Sequence, residues 1–413
     1  MTAWHSSSKR GLFVGSPPFK QISTLQWSRL FLVVWALFMA ATAAVFHYQV
    51  AVFTVLPDST LRATTFVTNN SHEDEGYQKY DFKVQSQMAP TCSPLKAQDI
   101  DFTLVTQLSP DRLKLMKLHC ERWGNHPISL AVAAAMDPEI ILSTLSEYGC
   151  NTEMITVSLL SDFTSNEDYP VNRLRNLAMS HVKTSHALMI DVDLFCHLYQ
   201  TLHLHRETLS GDHLNALVVP AFELSKVCDP KRAPCAAHNL AKLPKTKDAL
   251  LKLYETVRLP KLHVAQFNRD TNFHGHSSTR YTDWITQPAR QLLHIECVTS
   301  DRYEPYIVVR HCQSLPPFQE AFVGFGQNKI TWIQQVLRMG YKFYQIGEGF
   351  VIHLPHVKSP ASQKWYADKR KFMRDITKLK VQKIGKAFRF WMRNEVPDNT
   401  QVSVCSQGQQ LPG

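Results

Sequence analysis

Residues 186–193 read His-Ala-Leu-Met-Ile-Asp-Val-Asp, an apolar run that is closed by two acids. The run is too short for a helix and is typical of a buried strand. A strand in a parallel sheet is covered on both faces and is therefore apolar throughout. Open α/β sheets bind ligands at the carboxyl ends of their strands, which is where Asp191 and Asp193 lie. Because such a pair offers oxygen ligands to a hard divalent cation, the sequence predicts a metal–diphosphate site here.

Strands and helices alternate on both sides of this run, which predicts an α/β fold. Strands are predicted at 128–134, 154–160, 216–222, 303–310 and 343–354. Helices are predicted at 111–123, 171–182, 328–339 and 365–391. Residues 229–290 show no clear periodicity, and we expect them to form an irregular insertion over one face of the sheet.

The composition sets the broad class. The chain has 413 residues, of which 44% are hydrophobic, enough for one large domain or two ordinary ones. The net charge is +10, but the basic residues are spread along the chain and no nucleic-acid-binding motif accompanies them. We therefore expect no nucleic-acid partner. Basic clefts for a nucleotide diphosphate or for an acidic acceptor account for the charge equally well.

An apolar segment near the N-terminus predicts a membrane anchor. Residues 30–46 are apolar except for Thr42, and a weaker apolar character continues to residue 56, which is long enough to span a bilayer. Lys and Arg residues precede the segment, so the positive-inside rule places residues 1–29 in the cytosol as a tail. Residues 30–50 are then an uncleaved transmembrane signal-anchor. A cleaved signal peptide is disfavoured because both the leader and the apolar run are long.

The remaining chain then lies in the secretory lumen. Residues 51–98 are polar and predict a flexible stem, with one glycosylation sequon at Asn69. Residues 99–395 are predicted to form a globular domain, and residues 396–413 a polar C-terminal tail. Nine cysteines in an oxidising lumen predict disulfides. Cys228 and Cys235, which bracket a proline-containing loop, are the first candidate pair.

Motifs along the chain carry a resemblance to a known family. From Asp101 to about Arg374 the sequence resembles the LARGE-type glycosyltransferases and the related β-1,4-glucuronyltransferase of glycosyltransferase family 49. The matching motifs keep their order and spacing: 104–109 with 111–113, 169–172 with 174–176, 191–193, 217–223, 275–276 with Trp284, 303–306, 322–326 with 328–329, and 352–356.

The resemblance implies an α/β fold of the GT-A type and a single-pass type II Golgi membrane protein. It also implies Mn²⁺ and inverting transfer from a UDP-sugar to a glycan acceptor. UDP-glucuronate is the favoured donor, with UDP-xylose or another UDP-hexose as alternatives. A catalytically inactive, glycan-binding or scaffolding relative is the rival hypothesis, and a tethered structural protein without a ligand is the third. Near Gly275 the sequence departs from the relatives at Ser278 and Arg280, so specificity does not transfer directly.

The resemblance also implies the metal ligands. Asp191 and Asp193 would hold Mn²⁺ and, through it, the UDP diphosphate. His353 stands where the family completes the metal shell with a late histidine, and His356 is the alternative. Two carboxylates and an imidazole are acceptable ligands for Mn²⁺.

Further polar residues of these motifs are candidates for donor binding, namely Gln107, Asn172, Arg175, Asn176, Asp191 and Asn328. The guanidinium fork of Arg175 suits a diphosphate or an acidic sugar, although an ion pair that anchors its helix explains it equally well. Gln107 contacts uridine or is an ordinary loop amide. Gly324 and Gly326 either allow close approach of the backbone to a ligand beside Asn328 or form the turn before a helix.

An inverting enzyme needs a general base for the acceptor hydroxyl. Relatives carry Asp where Gln319 stands, so the adjacent Glu320 is the first candidate. Glu304 and Glu223 are the other two, and each of the three has a structural role as its alternative.

Overall fold

The computed structural model describes residues 78–87, 89–163, 169–224, 240, 243–254, 264–270, 272–354, 356, 362–363, 365 and 376–406. The predicted tail, the anchor, the sequon and the Cys228–Cys235 pair lie outside the described residues. Within these ranges, no helix is long and apolar enough to cross a membrane.

The described chain alternates strands and helices, which confirms the predicted α/β class. The strands are β1 (Phe102–Leu108), β2 (Ile128–Ala133), β3 (Ile155–Leu160), β4 (His186–Met189), β5 (Leu194–Cys196), β6 (Asn215–Val219), β7 (Ala221–Leu224), β8 (Val264–Gln266), β9 (Leu292–Ile295), β10 (Cys297–Val298), β11 (Tyr306–Arg310), β12 (Lys342–Ile346), β13 (Val351–His353) and β14 (Ser403–Val404). The α-helices are α1 (Met116–Trp123), α2 (Pro138–Glu147), α3 (Val171–Ser180), α4 (Tyr199–His203), α5 (Arg206–Gly211), α6 (Lys247–Tyr254), α7 (Tyr281–Thr286), α8 (Asn328–Arg338) and α9 (Ile376–Glu395). Single-turn and two-turn 3₁₀ helices lie at Ala97–Asp99, Pro110–Leu115, Thr152–Met154 and Phe273–Gly275.

The central sheet has eight strands in the order β3-β2-β1-β4-β11-β6-β12-β9. The predicted strand at 186–190 is β4, and it pairs in parallel with β1 but antiparallel with β11, so the sheet is mixed. Both of its faces are covered, as its apolar sequence predicts. Leu188 belongs to a core cluster with residues of α1, α2 and α4, whereas Met189 belongs to a second cluster with residues of α3 and α8.

The chain passes directly from this sheet into a four-stranded sheet, β5-β13-β7-β8, at three places: β4 to β5, β6 to β7 and β12 to β13. Pro220 lies in the second crossing, where its missing N–H interrupts the ladder. Gly349, at φ +89°, lies in the third. The single strands predicted at 216–222 and 343–354 were therefore wrong, because each stretch contains a break and supplies one strand to each sheet. Asp191 and Asp193 lie in the first crossing.

The helix predictions hold best where the apolar periodicity is strong. α3 and α8 begin at the predicted residues and end within two residues of the predicted ends. The predicted helix at 111–123 starts instead as a 3₁₀ helix and becomes α-helical only at Met116. The insertion at 229–290 is not irregular throughout, because β8 pairs with β7 there.

Both predicted limits of the globular domain fall inside packed structure. Phe82, in the predicted stem, packs against Phe388 and Trp391 of α9, with ring centroids 5.6 and 5.3 Å away. Two disulfides, Cys92–Cys312 and Cys297–Cys405, link the two ends to the rest of the domain. A third, Cys120–Cys150, lies within the domain. Residues 78–98 and 396–406 are therefore part of the same folded body as the sheets.

Candidate metal and donor site

The crossing from β4 to β5 places Asp193 beside the end of β13. β13 runs antiparallel to β5 with His353 opposite Leu194. The N–H of Leu354 donates to the carbonyl of Asp193 at 3.0 Å. This pairing fixes the backbone of Asp193 next to that of His353. His356 follows three residues later in the sequence.

A carboxylate and two imidazoles meet at this point. The ligand atoms of Asp193, His353 and His356 lie within 4.8 Å of one another, and they form the metal-capable cluster found within the described ranges. Nε2 of His356 is 2.6 Å from Oδ2 of Asp193. Oxygen and imidazole ligands in this number suit Mn²⁺ or a similar divalent cation, so the residues present fit the predicted metal. The structure brings Asp193 and His353 together as predicted, with His356 rather than Asp191 as the third member.

Arg112 contacts two members of the cluster, Asp193 and His356. Its guanidinium donates from Nη1 to Oδ2 of Asp193 at 3.1 Å, and its Nη2 is 3.2 Å from Nδ1 of His356. Arginine has donors alone, so Nδ1 of His356 accepts this bond. The arginine thus orients the imidazole and the carboxylate together.

Asp191 belongs to a second network next to the cluster. Its Oδ1 accepts from Nη2 of Arg175 at 2.8 Å, and its Oδ2 accepts from Nζ of Lys329 at 2.9 Å. The hydroxyl of Tyr306 also donates to Oδ2 at 3.1 Å. Both oxygens of Asp191 are thus bonded to cationic side chains, and Asp191 is not among the three residues of the metal-capable cluster in the described ranges.

Electrostatics keep both acids ionised. Burial disfavours their charged forms, but nearby positive groups outweigh it. Lys329 and Arg175 hold the pKa of Asp191 well below its usual range, and the hydrogen bond from His356 together with Arg112 does the same for the pKa of Asp193. Burial lowers the pKa of His353 to about 4, which leaves its imidazole neutral at pH 7, the form that binds a metal.

Three of the predicted donor-binding residues, Asn172, Asn176 and Gln107, have hydrogen bonds within the protein. The amides of Asn172 and Asn176 each donate at 2.8 Å to backbone carbonyls of residues 318–319, and Asn172 is fully buried. Oε1 of Gln107 accepts from the hydroxyl of Tyr169 at 2.5 Å. These hydrogen bonds join parts of the protein to each other, whereas Arg175 contacts Asp191 of the acidic pair directly.

Asn328 begins α8 and caps the turn before it. Its Nδ2 donates to the carbonyl of Gly324 at 3.0 Å. Gly324, Gly326 and Gln327 have φ values of 65°, 108° and 57°. Such a left-handed turn favours glycine, and a Cβ on Gly326 would lie 2.8 Å from the ring of Trp365. The glycines are accounted for by the turn.

Glu304 lies two residues before Tyr306 of the Asp191 network. Its side chain is half-buried, and Oε1 accepts from Nδ2 of Asn272 at 2.7 Å. Burial raises the pKa of Glu304, and the charges of Lys329 and Asp191 act on it next. A carboxylate with a raised pKa in such a place is suited to take a proton.

The other two candidate bases have different surroundings. Glu320 is exposed and lines a cavity of about 530 Å³ between residues 79–89 and 315–321, whose described lining does not include Asp191, Asp193 or His353. The structure therefore does not bring Glu320 to the acidic pair.

Gln319, which prompted the choice of Glu320, is 1% exposed, and its amide donates to the carbonyl of Lys83 at 2.7 Å. The Gln319 side chain therefore has a structural role.

Glu223, the third candidate base, lies opposite His353 in the β7–β13 pair, next to the metal-capable cluster.

Gly275 allows Asn272 and Glu304 to approach each other. A Cβ on Gly275 would lie 2.6 Å from Nδ2 of Asn272 and 2.9 Å from Oε1 of Glu304. We expect Gly275→Ala to displace the glutamate and to destabilise the fold by about 1 kcal/mol, the low end of the usual cost of overpacking, because both contacts are ends of flexible side chains. Thermal unfolding checks the stability. Gly211→Ala is the matched control, since a Cβ there meets nothing within 4 Å. Equal effects of the two substitutions would contradict this role of Gly275.

Sequence reasoning gave no role to four residues of this site: Arg112, Asn272, Tyr306 and Lys329. Three of them stand in the motifs quoted for the family resemblance, which was the signal available. Their partners are far away in sequence; Lys329 and Asp191, for example, are 138 residues apart. Periodicity and spacing carry no information about such contacts.

Comparison with known proteins identifies the class. The sequence model of a family described as "Glycosyl-transferase for dystroglycan" matches residues 142–387. The chain belongs to this glycosyltransferase family, which confirms the resemblance to LARGE-type proteins.

The particular relatives are xylosyl- and glucuronyltransferases. LARGE2 of Mus musculus is 33% identical over 272 residues, which are 64% of this chain and 36% of the relative. LARGE1 of Mus musculus is 30% identical over 282 residues, or 66% of this chain and 34% of the relative. LARGE2s of Danio rerio is 30% identical over 306 residues, or 69% of this chain and 36% of the relative. This chain thus spans about a third of the length of the curated relatives that it matches.

A solved structure, GalNAc-T7 with UDP, GalNAc and Mn²⁺, aligns with 73% of this chain and 57% of its own. The TM-score is 0.38 and the identity is 8%, values too low to carry an argument about this chain.

The two histidines of the cluster are separable by mutation. We expect His353→Ala to raise the concentration of manganese needed for half-maximal activity more than His356→Ala does, because His353 is fixed by the β5–β13 pairing. A manganese titration of activity gives both values. His294→Ala, an exposed histidine on β9, is the control. The reverse order of the two effects would make His356 the principal imidazole ligand.

Proposed function

We propose that this chain is a metal-dependent, inverting glycosyltransferase of the GT-A type that transfers a sugar, by preference glucuronate, from a UDP-sugar to a glycan acceptor. The observation that carries the proposal is the cluster of Asp193, His353 and His356 at the carboxyl end of β4, next to the cationic network around Asp191. Membership of the glycosyltransferase family supports it.

The site divides into two halves with different tasks. Asp193, His353 and His356 would hold the cation, and a bound Mn²⁺ supplies the charge that offsets the leaving diphosphate. Lys329 and Arg175 form the other half, and Asp191 fixes both of them. In this assignment Asp191 positions the cations, and a direct bond from Asp191 to the metal is not required.

Glu304 is the proposed general base. Inversion is a single displacement, in which the acceptor hydroxyl loses its proton to the base while its oxygen bonds to the anomeric carbon and UDP leaves from the opposite face. Oε1 of Glu304 is oriented by Asn272, and burial raises the pKa of the Glu304 carboxyl. Its second carboxylate oxygen would take the proton.

A donor screen tests the proposed function. The full-length protein is incubated with manganese, an oligosaccharide mixture as acceptor and UDP-glucuronate, UDP-xylose or UDP-glucose, and the release of UDP is measured. Acceptor-dependent release with one of these donors supports the proposal. Manganese-dependent UDP binding without release from any donor, across acceptors of different composition, would favour the catalytically inactive glycan-binding alternative.

The proposed location is the Golgi membrane, with the catalytic domain in the lumen. Three disulfides among the described cysteines support an oxidising compartment. The expected topology is a cytosolic N-terminus and a lumenal Asn69 that accepts a glycan. Protease treatment of sealed vesicles that carry an N-terminal tag checks this. Protection of the tag, or a mature N-terminus beyond residue 50, would contradict the signal-anchor.

A further inference from the structure

Lys329 is the more exposed of the two cationic residues that contact Asp191. Its side chain is 17% exposed, whereas that of Arg175 is 5% exposed. Nζ donates to Asp191 at 2.9 Å and to the hydroxyl of Tyr306 at 2.7 Å. An ammonium group has three N–H donors, so these two contacts leave a third for a ligand.

The surroundings of Lys329 hold its ammonium group in place. Nζ lies 4.2 Å from the centroid of the Tyr306 ring, within the range of a cation–π contact. Tyr306 is itself buried in β11. Arg175 and Lys329 share the carboxylate of Asp191, so two cationic side chains in this hydrogen-bonded network face one carboxylate.

The position of this cation within the site is informative. Lys329 donates to the hydroxyl of Tyr306, which follows Glu304 by two residues, whereas Asp193 is bonded to His356 and Arg112. Lys329 thus belongs to the half of the site that contains the proposed base. The donor sugar must lie between the diphosphate at the metal half and the acceptor at the base, which places Lys329 on the side of the sugar.

We propose that Lys329 recognises the carboxylate of a uronic-acid donor and thereby sets the preference for glucuronate over xylose. This inference rests on the proposed function. Xylose has the ring of glucuronate with a hydrogen in place of the carboxylate group on C5, so the two UDP-sugars are a matched pair for a test. The diphosphate is the other anion that Lys329 could bind, and UDP alone is the ligand that separates the two.

The experiment measures the affinity of the full-length protein for UDP, UDP-xylose and UDP-glucuronate in manganese, by competition against a labelled UDP probe. Lys329→Met removes the charge, and Lys329→Arg keeps it. Lys342→Met is the matched control, since Lys342 forms an ion pair with Asp212 at 3.1 Å elsewhere on the sheet. Thermal unfolding of each variant shows whether it is folded.

We expect Lys329→Met to lower the glucuronate-to-xylose affinity ratio by at least about tenfold, the effect of losing one charge-assisted hydrogen bond. The affinity for UDP should change little, and Lys329→Arg should keep most of the ratio even if Lys329→Met folds poorly. An unchanged ratio, or an equal loss for UDP and both UDP-sugars, would overturn the proposal. A wild-type protein that binds none of the three ligands would instead refute the proposed function.

Discussion

Asp193→Asn will lower manganese-dependent turnover by at least about a hundredfold, because the amide is a poorer metal ligand and carries no charge to attract the cation. The substitution keeps the size of the side chain, and the backbone carbonyl of Asp193 still accepts from Leu354, so the fold should survive. Initial rates over a range of manganese concentrations, together with thermal unfolding, separate the two effects.

Asp212→Asn is the control for Asp193→Asn. Asp212 is also paired with a cation, Lys342, but it lies outside the site. Its substitution should leave the manganese dependence as in the wild type. Near-normal turnover of Asp193→Asn in saturating manganese would remove Asp193 from the metal site.

Glu304→Gln will lower turnover by about two to four orders of magnitude, the usual contribution of a general base. The affinity for UDP in manganese should stay close to the wild-type value, because the proposed base contacts the acceptor and not the diphosphate. The glutamine keeps an Oε1 that can accept from Asn272, so the local packing is conserved. Steady-state rates and a UDP titration on the same samples measure both quantities.

The pH dependence of kcat/KM is a second test of Glu304 as the base. The base acts in its deprotonated form, and burial raises the pKa of Glu304. We therefore expect kcat/KM to fall as the pH drops through this raised pKa, and this fall should be absent from the residual activity of Glu304→Gln.

Glu320→Gln and Glu223→Gln are the controls for Glu304→Gln and should stay within a few-fold of the wild type. A large loss in either one with intact UDP binding would transfer the role of the base to that residue.

The central part of the site could be predicted from local sequence. The apolar run before Asp191 and Asp193 predicted that both acids lie at a strand end. This was possible because β4 is buried on both faces and its sequence is therefore mostly apolar. His353 followed from the family resemblance, and the structure places it beside Asp193. Burial patterns and short motifs are properties of adjacent residues, which is why they could be recognised.

The different contacts of the two acids could not be predicted. Asp191 and Asp193 have the same side chain two residues apart, and the difference between them arises from Lys329 and His356. These partners come from distant parts of the chain and meet the acids only when β11, β13 and α8 assemble. The sequence pattern was equally compatible with two metal ligands.

The surroundings of Glu320 could not be predicted for a related reason. Position 319 was compared with an acid in the relatives, but Gln319 is buried. Its side-chain amide accepts from the N–H of Lys83 and donates to the carbonyl of Lys83. Residues 78–87 were assigned to a flexible stem, so their contact with this segment could not be anticipated. Once they are packed, Glu320 faces their cavity, and Glu304 remains with the acidic network.

The measurement that tests the central claim most directly is a calorimetric titration of the full-length protein with UDP, in manganese and again in excess EDTA. If Asp193, His353 and His356 hold the cation that binds the diphosphate, UDP will bind in manganese and at least about tenfold more weakly in EDTA. Asp193→Asn will show little difference between the two conditions. Equal affinity of the wild type with and without manganese, or no UDP binding in either, would contradict the account.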